Sequence, residues 1–392
     1  MAITVVGEFA VFSGYASMNE YVVLGMHRAG ARLSLQPQFL DTVGCSAELL
    51  EIWARSRPHV DGPVLYTSWM RPDLACFAGT ELYIRSMFEA SRLPASWPAR
   101  LNTGRAVIVP STFVADAFRA SGVRVPIEVV PDGIDPDAYP YLERPRRDTV
   151  TTLVVSAVYN RLTGLPGIAD RKHLGEAVAA WQQAFDGDQS ARLILKCRFG
   201  RPEDFPADPR VTLVAEEERT RGIAHWYRQA DVLLALGSEG FGLPLIEGMA
   251  TGLPVIALAS EGQGDICRDA AGLLLPVQPA SWEPHLHEGR EECGVRGVPG
   301  VADVAARLRW VAAHREEAAE MGRAAAAWVH AHRNVWSYGP AVLDVIERRT
   351  RYRRGLRRTE RRAAAGALRR LALVGQERGR RGSQDAAPGS AR

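Results

Sequence analysis

The sequence predicts an α/β protein of two doubly wound domains, and three observations carry the prediction. Short apolar runs alternate with amphipathic segments along the first third. The alternation restarts after residue 149. Between the two blocks lies a stretch, residues 131–149, dense in proline and charge. Strand-length apolar runs alternating with helical patterns argue for a parallel sheet covered on both faces. A chain of 392 residues is too long for one ordinary core and suits two domains of about 150 residues each. The expected boundaries are a first domain over 1–135, a linker over 136–149, a second domain over 150–334, a helix over 335–350 and an arginine-rich tail over 351–392.

In the first block, Ile3–Val6 reads as a strand. A turn around Phe12-Ser13-Gly14-Tyr15 follows, and Met18–Gly30 has helical spacing closed by glycine. Val64–Tyr66 and Ala106–Val109 are strands, Val114–Ser121 a helix, and Ile127–Val130 a strand before the turn Pro131-Asp132-Gly133. In the second block the strands are Leu153–Ala157, Ala191–Leu195, Val211–Val214, Asp231–Leu236, Pro254–Leu258 and Gly272–Leu275. The helices are Leu174–Phe185, Ile223–Gln229, Leu245–Ala250, Ala302–Ala313 and Glu316–Ala331, with a last one from Trp336 to Glu347. The tail reads as helical to Val374 and disordered beyond.

Apolar residues make up 46% and charged residues 24% of the chain, the balance of a water-soluble globular protein. No apolar run reaches the roughly 20 residues that span a bilayer, and the N-terminus lacks the basic flank of a signal peptide. The expected location is cytoplasmic. Five scattered cysteines without metal-ligand or redox spacing read as reduced thiols, and no metal site is expected. The net charge of +3 is uneven: residues 348–392 hold 15 arginines against three acids, so the rest of the chain is acidic. That tail suggests contact with an anionic membrane surface, whereas its lack of interleaved aromatics argues against nucleic acid. Of 48 basic residues only Lys172 and Lys196 are lysines, a bias that fits a GC-rich, actinobacterial type of genome. Two surviving lysines are candidates for a site that needs a compact ammonium.

The most informative segment is Gly237-Ser-Glu-Gly-Phe-Gly-Leu-Pro-Leu-Ile-Glu-Gly-Met-Ala-Thr-Gly-Leu-Pro-Val-Ile-Ala257. It leaves a buried strand and turns into a helix, with Pro244 suited to the first turn and Gly252 to the stop. Gly240 and Gly242 let the main chain approach a ligand, and the amides at the helix start form a positive end. Glu239 in the loop and Glu247 early in the helix can face one cleft at the carboxyl edge of the sheet.

This segment resembles the hallmark of family 4 retaining glycosyltransferases, two glutamates with seven residues between them around Glu-Gly-Phe-Gly-Leu-Pro. The resemblance extends over roughly residues 1–347. It includes Val109-Pro-Ser-Thr-Phe113, Val129-Val-Pro-Asp-Gly-Ile-Asp135, Tyr227-Arg-Gln-Ala-Asp231, Gly272-Leu-Leu-Leu-Pro276 and the aromatic Trp336. It implies a GT-B fold: a Rossmann-like acceptor-binding domain, a Rossmann-like nucleotide-sugar domain, and a C-terminal helix crossing back to the first. It further implies that Glu247 accepts hydrogen bonds from the donor ribose, while Glu239, Gly240, Phe241, Gly242 and Leu243 contact the donor sugar. Arg171, Lys172 and Lys196 would meet the donor diphosphate, with Gly14 approaching it from the other domain. Catalysis would rest on Glu239, Lys172 and Lys196. Met87-Phe88-Glu89 resembles a subgroup's acceptor cleft, so Phe88 and Glu89, with Tyr15, are acceptor-side candidates.

The implied activity is retaining, metal-independent transfer from a nucleotide diphosphate sugar, a co-substrate rather than a cofactor, to an acceptor hydroxyl. The pathway would be natural-product glycosylation or cell-envelope polysaccharide. The alternatives are a non-catalytic GT-B scaffold and another GT-B enzyme such as a nucleotide-sugar epimerase. The pairs His285/His287 and His330/His332 read as solvated.

Overall fold

Strand β1 (Ala2–Phe9) is buried along most of its length and leads into α1 (Gly14–Arg28). There follow β2 (Arg32–Leu40), α2 (Ala47–Ala54), β3 (Val64–Thr67), β4 (Leu82–Arg85), α3 (Trp97–Leu101), β5 (Ala106–Val109), α4 (Thr112–Ala120) and β6 (Ile127–Val129). The six strands form one sheet in the order β2-β1-β3-β4-β5-β6, every pair parallel. β3, β4 and β5 are four-residue strands buried throughout, as expected of strands covered on both faces. This computed structural model describes residues 1–10, 14–68, 70–144, 147–158, 171–205, 207–215, 223–287 and 290–351.

The second half repeats the scheme with β7 (Val150–Ala157), α5 (Leu174–Ala184), β8 (Ala191–Arg198), β9 (Val211–Val214), α6 (Ala224–Gln229), β10 (Val232–Ala235), α7 (Leu243–Ala250), β11 (Val255–Leu258), α8 (Glu261–Asp269) and β12 (Leu275–Val277). Its sheet runs β12-β11-β10-β7-β8-β9, again all parallel. Helices α9 (Val301–Ala313), α10 (Arg315–His332) and α11 (335–351) follow. Two parallel six-stranded sheets with covering helices make the expected α/β architecture. The strand read at Gly272–Leu275 begins at Leu275 instead. Gly272 holds φ +82°, and Leu273 donates back to the Ala270 carbonyl, so these residues form the turn before the strand.

Residues Met1–Leu343 form one compact unit and Asp344–Arg392 a second. The start of α11 touches the first sheet's helices: Trp336 meets the Tyr21 ring edge-on at 5.4 Å, and Gly339 lies against Gly25. In the second unit, Arg348 pairs with Asp344 and Arg351 with Glu347, each one helical turn apart. The tail's expected helix to Val374 and its polar end lie outside the described residues, apart from Arg351. Among the described residues no helix is long and apolar enough to cross a membrane.

Arg85, at the end of β4, is 1% exposed and ties several elements together. Its guanidinium donates to Asn19 Oδ1 on α1 at 3.0 Å, to Asp132 Oδ1 at the chain's exit from the first half at 3.0 Å, and to the Tyr338 hydroxyl on α11 at 2.5 Å.

Between β12 and α9 the doubly wound scheme is interrupted by an antiparallel hairpin, β13 (Pro279–His287) and β14 (Glu291–Pro299). The hairpin grows from the second half and seats on the first. Ser91 N–H donates to the Val295 carbonyl at 3.1 Å, Val295 N–H donates to Ser91 Oγ at 2.9 Å, and Ala95 N–H donates to Glu291 Oε1 at 2.6 Å. Cys293 is fully buried in the first half's core, beside residues such as Phe88 and Trp97. His285 and His287 stack edge-on against Phe88 at 5.4 and 5.7 Å. The solvated reading of this histidine pair is therefore corrected. Burial and the nearby Arg296 and Arg171 charges push His285 down to about 4, so it is neutral at pH 7. Gly294 holds φ +72°, and a Cβ there would lie 2.3 Å from Ser91 Oγ and 2.9 Å from Arg92 N. Gly294→Val is expected to lift the hairpin and expose Cys293, measured as faster alkylation of that thiol by peptide mass spectrometry. An unchanged rate would contradict this docking.

Candidate functional site

The strand order places a crevice before any side chain is considered. In the second sheet the chain winds outward through β7, β8 and β9, then reverses and winds through β10, β11 and β12. Ligands in such sheets bind at the carboxyl edge where the order reverses, here between β7 and β10. A small cavity lies at that point, lined by Val155 of β7, Ala235 of β10, Gly237, Glu239, Lys172 and Gln263, among others.

The loop between β10 and α7 shapes the crevice. Gly242 caps α7 at φ +112°, where a Cβ would also lie 2.8 Å from Gln263 Cγ, so both backbone and space call for glycine. Gly242 brings no side chain to cap the first amides of α7, which form the positive end of that helix. Gly240 lies against Met87 and Phe88 of the first half, and its carbonyl accepts from Ser111 Oγ at 2.7 Å. Thr112 at the start of α4 bonds Asp265 of α8 through its N–H and its hydroxyl. The two halves thus meet across the glutamate loop.

Four charged groups converge beside it. Lys172 Nζ contacts Glu239 Oε1, and Arg171 Nη1 reaches Glu239 Oε2 at 3.2 Å. Arg171 also donates to the Ser238 carbonyl at 2.9 Å and extends Nη2 to within 3.6 Å of Glu89 Oε1 in the first half. Burial raises the Glu239 carboxyl, but Lys172 and Arg171 outweigh it and hold the group below the usual carboxylate range. The backbone is fixed from both sides: Ser238 N–H donates to the Arg171 carbonyl at 2.8 Å, and Gly262 N–H to the Glu239 carbonyl at 2.9 Å. His173 turns through a left-handed conformation, φ 51°, to start α5, with Nε2 3.3 Å from Ser238 Oγ.

Glu247 lies one turn into α7. Its Oε2 accepts from the Tyr227 hydroxyl at 2.7 Å, and it is 8% exposed. Burial raises this carboxyl to about 7, against the opposing effect of hydrogen bonds from Tyr227 and Tyr139.

The remaining candidates divide into those at this cluster and those apart from it. Gly14, which opens α1, abuts Leu243 at the start of α7, and a Cβ would lie 2.8 Å from Leu243 Cδ1. Two helix starts, one from each half, therefore face each other. Lys196 is 5% exposed on β8, in register with the cavity residue Val155 of the neighbouring β7. Phe241 is buried in the core beneath α7. Tyr15 donates its hydroxyl to the Arg85 carbonyl at 2.8 Å, and burial pushes the phenol up to about 12. Phe88 is 1% exposed beneath the hairpin, and Glu89 reaches Arg171. Sequence reasoning passed over Gln263, whose Nε2 donates to the Gly237 carbonyl at 2.6 Å, because α8 carries two glycines and few apolar residues.

Comparison with known proteins bears directly on this region. Residues 172–286, from Lys172 into β13, match the family model described as Glycosyl transferases group 1. These residues form a group 1 glycosyltransferase domain. A curated relative, D-inositol 3-phosphate glycosyltransferase of Streptomyces bingchenggensis (strain BCW-1), is 39% identical over 93 residues, which is 22% of this chain. The match spans 20% of that relative's own length. Among solved structures, sucrose-phosphate synthase from Thermosynechococcus elongatus superposes with a TM-score of 0.62 at 15% identity, covering 89% of this chain and 98% of that one. Anabaena Alr3699/HepE in complex with UDP and glucose gives 0.64 at 13% identity, covering 88% and 99%. The fold around the glycosyltransferase domain is GT-B. Within residues 172–286 lie both glutamates, both lysines, the start of α7 and all but the last residue of the hairpin's first strand.

Proposed function

We propose that the chain is a retaining, metal-independent glycosyltransferase moving a sugar from a nucleoside diphosphate donor to an acceptor hydroxyl. The observation that carries this reading is the convergence of Lys172, Arg171, Glu239 and the uncapped helix start at the β7–β10 reversal. Breaking the anomeric bond leaves negative charge on the diphosphate. Fixed cations and helix-end amides aimed at that charge stabilise it without reorganising, usually the largest catalytic effect. Lys172 and Arg171 supply the cations, with Lys196 on β8 next to β7. Glu247 holds the ribose and Glu239 orients the sugar. The acceptor attacks from the leaving-group face, and a phosphate oxygen takes its proton. Enclosure between two halves that meet at Gly240 excludes water and limits donor hydrolysis.

The donor to try first is UDP-glucose, since the HepE structures hold UDP with glucose and UDP-glucose. The acceptor belongs to a natural-product or cell-envelope pathway, worked on at the cytoplasmic side. A panel of nucleotide sugars in thermal-shift assays should pick out one base, because a ligand of the folded state raises apparent stability. Nuclear magnetic resonance of the transfer product should show the donor's anomeric configuration retained. No stabilisation by any nucleotide sugar, or an inverted product, would refute the reading.

Glu247 adds a pH signature. Ribose hydroxyls donate to the carboxylate, so binding favours the ionised form. With the group raised to about 7, affinity should climb as pH rises toward 7 and level off above it. Below that point each pH unit weakens binding by up to about tenfold. Titration with an uncharged nucleoside between pH 5.5 and 8.5 isolates the effect from phosphate ionisation. Glu247→Gln should flatten the profile, and a flat wild-type profile would count against Glu247 as the ribose acceptor.

A further inference from the structure

The glutamate that the proposed function gives to the donor sugar is joined to the cations that it gives to the donor phosphate. Each Glu239 oxygen takes one of them: Oε1 meets Lys172 Nζ, and Oε2 meets Arg171 Nη1 at 3.2 Å. A single carboxylate thus spans an ammonium and a guanidinium, as a phosphate group would. All three side chains are at most 20% exposed, so little water replaces these contacts. The chain of charges Glu89, Arg171, Glu239 and Lys172 sums to zero, and it sits beside the uncapped start of α7. Cations enclosed this far from water are costly without a counterion, and Glu239 supplies it. Because Ser238 N–H and the Glu239 carbonyl are tied by backbone bonds, the loop holds its place while the side chain turns about its own torsions.

We propose that the Glu239 carboxylate is an internal counterion that holds the diphosphate's place on Arg171 and Lys172 and leaves it when the donor binds. This deepens the donor reading above and rests on it. A diphosphate brings more charge and more acceptor oxygens than one carboxylate, so it wins both cations. Arg171 keeps its second partner, Glu89, during the exchange. The displaced carboxylate is then available to accept from sugar hydroxyls. Glu239 thus opposes binding of a bare diphosphate and serves only a donor that brings a sugar. The exchange favours the intact donor over the nucleoside diphosphate product, which offers no hydroxyls in return.

The consequence is a crossing of signs that a purely sugar-orienting glutamate does not produce. Glu239→Gln removes the competing charge at nearly constant size. It is expected to bind inorganic pyrophosphate, and UDP, ADP or GDP according to the base the site takes, about tenfold more tightly than wild type. Tenfold matches the net contribution of one charge-assisted hydrogen bond. Uridine, adenosine and guanosine, lacking phosphate, should show no gain, while sugar turnover falls. Glu239→Asp, one methylene shorter, cannot span both cations and should tighten pyrophosphate binding in the same direction, so either variant that folds decides the matter. Calorimetric titration of the full chain gives the affinities. Equal or weaker pyrophosphate and nucleoside diphosphate binding by the variants, with wild type binding a nucleoside diphosphate, overturns the counterion role and leaves the donor reading standing. Binding of no nucleoside diphosphate by wild type or variant overturns both.

Discussion

Lys172→Ala is expected to lower turnover of the nucleotide sugar by about 10²–10³, the range seen when one preorganised donor to a developing charge is removed. Lys172 stands at the cavity between β7 and β10, against Glu239, and just ahead of α5. Nucleoside affinity should change little, because base and ribose do not depend on the ammonium. Lys172→Arg keeps the charge but replaces a compact point donor by a planar fork, and should recover only part of the loss. Lys196→Ala, on β8 next to β7, serves as the comparison. Steady-state release of nucleoside diphosphate measures all three. A loss below about tenfold in Lys172→Ala would remove the lysine from the charge-stabilising role.

The largest effect on stability is expected at Arg85. Its pair with Asp132 has side-chain exposures of 1% and 0%, so Arg85→Met leaves a carboxylate enclosed without its cation. Breaking a buried pair from one side typically costs about 3–5 kcal/mol, whereas replacing both partners by apolar groups is often near neutral. The variant also loses the hydrogen bonds to Asn19 and Tyr338, so α1 and α11 loosen with it. The apparent melting temperature should fall by on the order of 10 °C. Arg85→Met with Asp132→Leu should regain much of that fall. A single variant that melts within a degree or two of wild type would show that the network contributes little.

Strands such as Ala106–Val109 and Val255–Leu258 were legible because they are unbroken apolar runs buried on both faces. Strand Arg32–Leu40 was not, because it is a half-exposed edge with a proline at position 37. The hairpin was hidden for a related reason. Its strands, PASWEPHLH and EECGVRGVP, carry prolines, glycines and charges that read as loop, and their burial comes from the partner surface. In the candidate site, Glu239, Glu247 and the glycines between them sit in one contiguous string. The contact of Arg171 with Glu89 joins residues 82 positions apart and follows only from the packing of the two halves. The same holds for Arg85 and Tyr338, separated by 253 positions. The hydroxyl partners of Glu247 also come from the fold, which alone determines that its carboxyl is raised.

The hairpin changes how the two halves can part. The polypeptide already crosses between them twice, after Asp132 and again where α11 begins, and two crossings alone would permit a hinge. The hairpin adds a third attachment, with a cysteine sunk in the opposite core and two imidazoles on Phe88. Its ends, Pro279 and Pro299, are paired neighbours between β12 and α9, and Gly297 N–H ties it back to Glu261 Oε1 of α8 at 2.8 Å. The two halves can therefore part only as far as the hairpin lets go of residues 88–97.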